Sequence, residues 1–235
     1  MSLFPYDEKV AIGSKQFETA EVMHKLAPFF KQERLDKLKQ VASLRTYHFS
    51  VVTEYLYDTG NINAIMRTSE NFGIQPFHVI EAVNTHISQR TTKGAEKWLD
   101  QHRWASNVEC IDYLKKRGYK IVATTFSEKS KNFTKLSYDA PSAFIFGSEG
   151  FGISEYVDQI ADEHVIIPTV GFSQSFNVSV AASIILGKLM LDPKYQKYLT
   201  PKEQDRLHVE FVLRDFLATK GGKKMLPRLF SVNTL

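Results

Sequence analysis

Short apolar runs alternate with segments of helical spacing between residues 46 and 192, and this alternation restricts the possible folds most strongly. Several of the runs, such as residues 142–146, are apolar almost throughout instead of alternating with polar residues. Strands of this kind are typical of parallel sheets, which are buried on both faces by the intervening helices. The sequence therefore predicts an α/β domain over residues 46–192, with a mostly parallel sheet and helices on both faces.

The two flanking segments, residues 1–45 and 193–235, are predicted to be helical extensions of this domain. Residues 14–44 have roughly helical apolar spacing, and Pro28 separates two short helices. A terminal helix is predicted at about residues 200–220. The basic residues of the tail that follows are Lys220, Lys223, Lys224 and Arg228. Such charges form either a solvated face or an RNA-binding surface, and the pattern alone does not decide between them.

The composition excludes several classes of protein. Because Cys110 is the single cysteine, an internal disulfide and a cysteine-based zinc site are excluded, which fits a reducing cytoplasm. The histidines have no convincing metal-ligand spacing, and no apolar run approaches the length that spans a membrane. A formal net charge of +4 permits an anionic partner without requiring one. We therefore expect a cytoplasmic protein without a metal or a membrane anchor.

A polar loop at residues 171–177 is a candidate ligand site. It lies between a short predicted strand, residues 165–167, which Pro168 ends, and an apolar helix that follows. The helix is apolar nearly all round, so it belongs inside the protein or against a partner. Either Ser175 or Asn177 can be its N-cap.

A second candidate loop, Gly147-x-x-Gly150-x-Gly152, follows the predicted strand at residues 142–146. Glycines let a backbone turn tightly and approach a ligand closely. Their spacing differs from the GxGxxG order of dinucleotide-binding folds, which makes such a fold a poor interpretation. Glu149 is either an anchor for nearby backbone amides or a functional carboxylate, because a carboxylate in such a loop needs a partner.

A third segment, residues 61–73, is predicted to be a helix with Asn61 as its N-cap and Gly73 at its end. Arg67 lies just after an apolar pair in this helix. It is either an exposed arginine in an ordinary surface ion pair or a functional cation. The helix by itself does not distinguish these two interpretations.

Residues 87–104 combine basic side chains with Trp98 and Trp104. The basic residues are Arg90, Lys93, Lys97, His102 and Arg103. Aromatic residues interleaved with cations suit base stacking and phosphate contact in RNA. The alternative is that both tryptophans pack over the edge of the sheet.

Three segments together resemble the motifs of one family, the TrmH-type 2'-O-methyltransferases of the SPOUT superfamily. They are Asn61-x-x-Ala64-x-x-Arg67-Thr68 with Phe72-Gly73, then Phe146-Gly147-Ser148-Glu149-x-x-Gly152-x-Ser154, then Ile167-Pro168-x-x-Gly171-x-x-x-Ser175-Phe176-Asn177-Val178-Ser179-Val180-Ala181. They occur in the order that the family has, across residues 46–192. Residues 93–98 also resemble the tRNA-modifying branch more than the rRNA-modifying branch.

The resemblance implies a deep trefoil knot, from the strand near Thr124 to the helix after Asn177, although chains rarely thread loops. It implies a homodimer, because the small residues of the helix at 178–191 suit close packing at an interface. It also implies S-adenosylmethionine as methyl donor, bound in the knot largely by backbone groups. The backbone groups that would bind it lie at or next to Thr124, Gly147, Ile167, Pro168 and Phe176. Since the family usually has leucine in place of Phe176, we expect a slightly different adenine pocket.

The resemblance further implies that Arg67 acts on the ribose 2'-hydroxyl of RNA. An arginine is a poor general base, so it either works with a substrate phosphate or orients and stabilises the alkoxide. The residues that would build the pocket around it are Asn61, Glu149, Ser175 and Asn177. The implied substrate is tRNA, with the D-loop guanosine as the usual target. The alternatives are an rRNA-directed enzyme of the same superfamily and a non-catalytic RNA-binding knot protein.

Overall fold

A computed structural model describes residues 3–81, 92 and 94–232 of the chain. The strands in these ranges are β1 (Val10–Ile12), β2 (Lys15–Phe17), β3 (Phe49–Glu54), β4 (Pro76–Ile80), β5 (Asp100–Trp104), β6 (Lys120–Thr124), β7 (Lys131–Asn132), β8 (Ser142–Phe146) and β9 (Glu163–Ile166). The helices are α1 (Thr19–Leu26), α2 (Gln32–Ser43), α3 (Thr59–Asn71), α4 (Asn107–Lys116), α5 (Glu155–Ile160), α6 (Val178–Leu191), α7 (Pro201–Ala218) and α8 (Gly222–Phe230). No helix in the described part of the chain is long and apolar enough to cross a membrane.

The chain divides into two compact units. The first contains Leu3 and Thr46–Lys197, and the second contains Phe4–Arg45 together with the described part of Tyr198–Leu235. In the second unit α2 packs along α7, and Arg34 Nε lies 2.7 Å from Asp215 Oδ2. The two terminal segments therefore fold together as one helical unit, although the sequence analysis treated them separately.

A seven-stranded sheet forms the first unit, with the strand order β5-β4-β3-β8-β6-β9-β7. Each neighbouring pair in this order is parallel. The central strands β3 and β8 are buried along their whole length. The prediction of a mostly parallel sheet is therefore confirmed.

Helices cover both faces of the sheet with separate apolar layers, as predicted. On one face α3 and α6 pack against side chains of β3 and β8 that include Val51 and Phe144. On the other face α4 and α5 pack against the alternate side chains, including Val52 and Ile145. Because all strands run parallel, their carboxyl ends meet at one edge, where ligands of open α/β sheets bind.

One predicted boundary near the start of the chain was wrong. Residues 14–44 do not begin as a helix, because Lys15–Phe17 pairs with Val10–Ile12 in a hairpin whose turn contains Gly13 at φ +59°. The basic tail within the predicted helical extension 193–235 forms a further helix, α8. Leu226 and Phe230 are buried one helical turn apart, which gives this helix an apolar side.

Residues 87–104 end in an edge strand, β5, that the sequence analysis did not predict. Burial lowers the pKa of His78 well below its usual range, and its Nδ1 accepts a hydrogen bond of 3.0 Å from Trp104 Nε1. The packing interpretation is therefore confirmed for Trp104. The RNA-binding interpretation also depended on Arg90 and Lys93, and these two residues lie outside the described ranges.

Candidate active site

The start of α3 differs from the prediction, because Asp58 rather than Asn61 is its N-cap. Asp58 Oδ1 accepts a hydrogen bond of 2.7 Å from the backbone nitrogen of Gly60. The helix consequently begins at Thr59, and Asn61 lies within its first turn. The side chain of Asn61 therefore does not cap the helix; its Nδ2 lies 3.4 Å from Asp58 Oδ2 and also bonds outside the helix.

Asn61 joins three segments that are distant in sequence. Its Nδ2 donates a hydrogen bond to Glu149 Oε1, 88 residues later. Its Oδ1 accepts a bond of 3.1 Å from Asn177 Nδ2, 116 residues later. Each of these residues comes from a different one of the three sequence motifs. The fold therefore brings the three motifs together at Asn61.

Asn177 has two roles at once. Its Oδ1 caps α6 by accepting hydrogen bonds from the backbone nitrogens of Ser179, at 2.9 Å, and Val180, at 3.3 Å. Its Nδ2 donates to Asn61, so both ends of the side-chain amide are used. The prediction that Asn177 can cap the helix is confirmed. Ser175 is exposed and the structure does not join it to this network.

The glycine-rich turn requires glycine at two positions. A Cβ atom added at Gly147 would overlap the backbone of Gly152, and Gly152 itself has φ +69°. Ser148 and Gly152 exchange backbone hydrogen bonds of 2.9 and 2.8 Å across the turn. Glu149 is exposed in this turn, and its hydrogen bond goes to the side chain of Asn61 instead of to backbone amides.

The residues named for the cofactor lie near the carboxyl ends of three adjacent strands. Thr124 ends β6, Gly147 follows β8 and Ile167 follows β9. Pro168 is exposed beside Ile167, and Phe176 immediately precedes the N-cap of α6. The structure thus places Thr124, Gly147 and Ile167 at one edge of the sheet, where ligands of open α/β sheets bind.

Exposed apolar side chains surround this edge, and the sequence analysis did not single them out. Phe126, in the loop after β6, is 73% exposed, and Phe151, in the glycine-rich turn, is 86% exposed. Phe172, in the loop after β9, is fully exposed. Large apolar side chains clustered at a polar site commonly mark a binding surface. In the sequence, the only indication of this apolar surface was that each of three separate loops contains a phenylalanine.

Arg67 lies outside the network of Asn61. The two residues are six positions apart, which is about 240° around a helix with 3.6 residues per turn. Arg67 is exposed and makes no hydrogen bond or ion pair with another residue of the described ranges. Its neighbour Thr68 bonds Ser183 of α6 at 3.3 Å between the two hydroxyl oxygens. The surface ion pair considered for Arg67 is thus absent within those ranges, and its guanidinium can meet a ligand.

The network contains hydrogen-bonding groups and no cluster suited to a metal. In the ranges that the structure describes, no group of three or more histidine, cysteine, aspartate or glutamate side chains could hold a metal ion. Asn61, Glu149 and Asn177 can fix the positions of a loop, a helix and a ligand relative to one another. Such an arrangement suits a reaction in which positioning supplies most of the rate acceleration.

Residues 48–187 match the model of the SpoU rRNA Methylase family. A tRNA (guanosine(18)-2'-O)-methyltransferase of Borreliella burgdorferi is 36% identical over 167 residues, which cover 71% of this chain and 77% of that protein. The corresponding enzyme of Aquifex aeolicus is 33% identical over 157 residues, which cover 66% of this chain and 74% of that enzyme.

Solved structures have the same architecture. The crystal structure of the Aquifex aeolicus TrmH/SpoU tRNA modifying enzyme matches with a TM-score of 0.72 and 29% identity. The match covers 80% of this chain and 98% of that one. The AviRb methyltransferase of Streptomyces viridochromogenes in complex with AdoMet matches with a TM-score of 0.55 at 24% identity, covering 63% of this chain and 60% of AviRb.

Proposed function

The chain belongs to the SpoU rRNA methylase family, and on this premise we propose that it methylates the 2'-hydroxyl of a D-loop guanosine in tRNA. The observation that carries the proposal is the network of Asn61, Glu149 and Asn177, which joins the three motifs of the resemblance. The relatives named as tRNA (guanosine(18)-2'-O)-methyltransferases support tRNA over rRNA as the substrate, and guanosine 18 as the nucleotide.

S-adenosylmethionine is the methyl donor of this proposal. The residues that would hold it, through backbone groups, are Thr124, Gly147, Ile167, Pro168 and Phe176. They fit such a ligand, because Gly147 lets the glycine-rich turn close tightly at the carboxyl end of β8 and exposed phenylalanines nearby offer apolar contact to an adenine. When bound there, the cofactor supplies an electrophilic methyl group on a sulfonium.

The pocket residues then have separate tasks. Asn61, Glu149 and Asn177 hold the glycine-rich turn and the start of α6 in a fixed relation. Arg67 orients the ribose 2'-hydroxyl and stabilises the developing alkoxide, since a guanidinium is a strong hydrogen-bond donor and a poor base. Ser175, which is exposed and lies outside the network, would contact the substrate from the polar loop. Each of these roles is a proposal.

We also propose that the protein is a homodimer and acts in the cytoplasm. Gly187 of α6 packs inside the chain, because a Cβ there would lie 3.3 Å from Phe72 Cζ, so this small residue serves internal packing. On the outer side of α6, Val180 is 46% exposed and Leu191 is 74% exposed. These apolar side chains support a partner surface on α6. A trefoil knot between Thr124 and α6 remains a prediction.

The test of the proposed function is methyl transfer to separated RNA fractions. Bulk tRNA and rRNA are incubated with the protein and a labelled methyl donor, and the labelled nucleotides are mapped. We expect label in tRNA, on the 2'-oxygen of the D-loop guanosine. Label confined to rRNA would instead establish the rRNA-directed alternative, and binding of RNA without any labelling would establish the non-catalytic one.

The exposed lysines of α8 provide a test of how tRNA is bound. Lys223 and Lys224 lie on the outer side of this helix. Replacing both with alanine should weaken tRNA affinity and lower the salt slope, log Kd against log salt, by about one for each phosphate that is no longer neutralised. The measurement is a filter-binding titration at several salt concentrations.

A matched control removes two adjacent charges elsewhere. Lys115 and Lys116 are exposed near the end of α4. Their double alanine variant should leave the salt slope unchanged. Equal slopes for the wild type and the Lys223→Ala, Lys224→Ala variant would exclude α8 from the RNA interface.

A further inference from the structure

Glu54, at the carboxyl end of β3, is a fully buried carboxylate. Its Oε2 accepts a hydrogen bond of 2.9 Å from the backbone nitrogen of Ser154. Its Oε1 accepts one of 2.6 Å from Ser154 Oγ and one of 3.0 Å from Asn107 Nδ2. Ser154 lies 100 residues later and ends the segment that begins with the glycine-rich turn. Glu54 therefore fixes the far end of that turn to the central strand.

The register of the sheet places Glu54 beside the turn. The last paired position of β3 and β8 is Thr53 with Phe146, so Glu54 and Gly147 are the next residues of the two strands. Glu54 bonds toward α4 and α5, whereas Glu149 bonds toward α3. The segment between Gly147 and Ser154 is thus held from both faces of the sheet, by Asn61 on one and by Glu54 on the other.

The neighbouring backbone has an unusual conformation. Tyr55 follows Glu54 with φ +52°, in the left-handed region that residues other than glycine seldom adopt. Its backbone nitrogen donates a hydrogen bond of 3.0 Å to the carbonyl of Ile80. Strained residues persist where surrounding structure determines them, and they cluster at functional sites. The strained turn and the buried carboxylate lie at the same edge as the candidate cofactor residues.

The buried charge of Glu54 is stabilised by hydrogen bonds alone. In the described ranges it forms no ion pair, and its donors are a backbone amide, a hydroxyl and a side-chain amide. Burying a carboxylate costs free energy unless it is fully hydrogen-bonded, and bonds to a charged acceptor are about twice as strong as neutral ones. These donors therefore link Ser154 to Glu54 more tightly than a neutral acceptor would.

We propose that Glu54 is a positioning residue for methyl transfer, which holds the segment from Gly147 to Ser154 in the shape that binds the cofactor. This inference rests on the proposed function, because Gly147 is a proposed cofactor contact and Glu149 a proposed pocket residue. Glu54 acts through Ser154 and contacts neither substrate nor cofactor. Its loss releases one end of the turn while the bond between Asn61 and Glu149 still holds the other.

The test compares substitutions at Glu54 by direct binding and by kinetics. Glu54→Ala should weaken S-adenosylmethionine binding about tenfold or more, because it removes hydrogen bonds to a charged acceptor. The KM for tRNA should stay unchanged. Glu54→Gln should recover part of the loss, since its amide oxygen still accepts from Ser154. Calorimetry with S-adenosylmethionine gives the dissociation constant, and thermal melting establishes that each variant is folded.

A double variant tests the pathway through Ser154. Glu54→Ala combined with Ser154→Ala should lose less cofactor affinity than the sum of the two single losses, because both changes remove the hydrogen bond between Ser154 Oγ and Glu54 Oε1. Asp112→Asn, on the exposed side of α4, is the matched control for loss of a carboxylate. If Glu54→Ala fails to fold, Glu54→Gln decides the question by the same binding measurement, because its amide nitrogen cannot accept a hydrogen bond where one of the carboxylate oxygens does.

Two results would overturn the proposal. One is a folded Glu54→Ala variant, or a folded Glu54→Gln variant in its place, that binds S-adenosylmethionine as tightly as the wild type. The other is a loss in the double variant equal to the sum of the two single losses. Either result leaves the proposed function intact if the wild type methylates tRNA. A wild type that binds the cofactor but methylates no RNA would instead contradict the proposed function.

Discussion

Arg67→Ala is expected to abolish methyl transfer to tRNA while leaving S-adenosylmethionine binding nearly unchanged. Removing a preorganised donor to a developing oxyanion typically costs about 100- to 1,000-fold in kcat. The cofactor affinity should be preserved, because Arg67 lies outside the network of Asn61 and is not among the residues named for the cofactor. The measurements are single-turnover methyl transfer and calorimetric binding of S-adenosylmethionine.

Arg67→Lys separates the charge of this residue from its shape. Lysine keeps the positive charge but lacks the planar fork of five donors, so it should restore only part of the rate. The free energy of unfolding of both variants should lie within about 0.5 kcal/mol of the wild-type value. The reason is that the arginine is exposed and makes no hydrogen bond or ion pair within the described ranges. Parallel loss of rate and of cofactor affinity in Arg67→Ala would contradict the assigned role.

The sequence predicted best where local pattern and tertiary packing agree. The strand Ser142–Phe146 was located to the residue because its apolar run is buried on both faces. Helix α6 was located equally well, since Asn177 is an effective cap before an apolar run. In both cases the sequence pattern that marks the boundary lies within a few residues of it.

Predictions failed where contacts distant in sequence decide the structure. Strand β5 is polar, and its assignment depends on pairing with β4 and on the packing of Trp104 against His78. No separate helix was predicted at α8, which begins at the pair Gly221-Gly222. Gly221 adopts φ +101° as the N-cap, and a Cβ at Gly222 would overlap the carbonyl of Phe216, so the fold requires both glycines.

The candidate site shows the same division between local and distant information. Its three motifs could be found in the sequence, but Asn61 was wrongly predicted as a cap because Asp58 is an equally good one three residues earlier. The bond between Asn61 and Glu149 could not be derived, since 88 residues separate them. The role of Glu54 could not be derived from the sequence either, since its partner Ser154 lies 100 residues later. The trefoil knot and the division at residues 45 and 192 stay predictions.

Gly147→Ala is expected to cause the largest loss of cofactor binding among substitutions in the glycine-rich turn. A Cβ at this position would overlap the carbonyl group of Gly152 and the nitrogen of Ile153, which are backbone atoms that cannot rotate away. Relief requires the turn to open, and opening it separates Glu149 from Asn61. We expect S-adenosylmethionine binding to become undetectable by calorimetry, with a lower melting temperature.

The other glycines of the turn are matched controls, because they differ in backbone conformation and in free space. Gly150 has open space around it and no left-handed φ, so Gly150→Ala should be neutral. Gly152 also has open space but adopts φ +69°, so alanine there should cost about 1–2 kcal/mol of stability with a smaller effect on binding. The expected order of loss in cofactor affinity is therefore Gly147, then Gly152, then Gly150.

If Gly147→Ala bound S-adenosylmethionine as well as Gly150→Ala does, the cofactor could not depend on the shape of this turn. The binding site would then have to be sought away from the carboxyl end of β8.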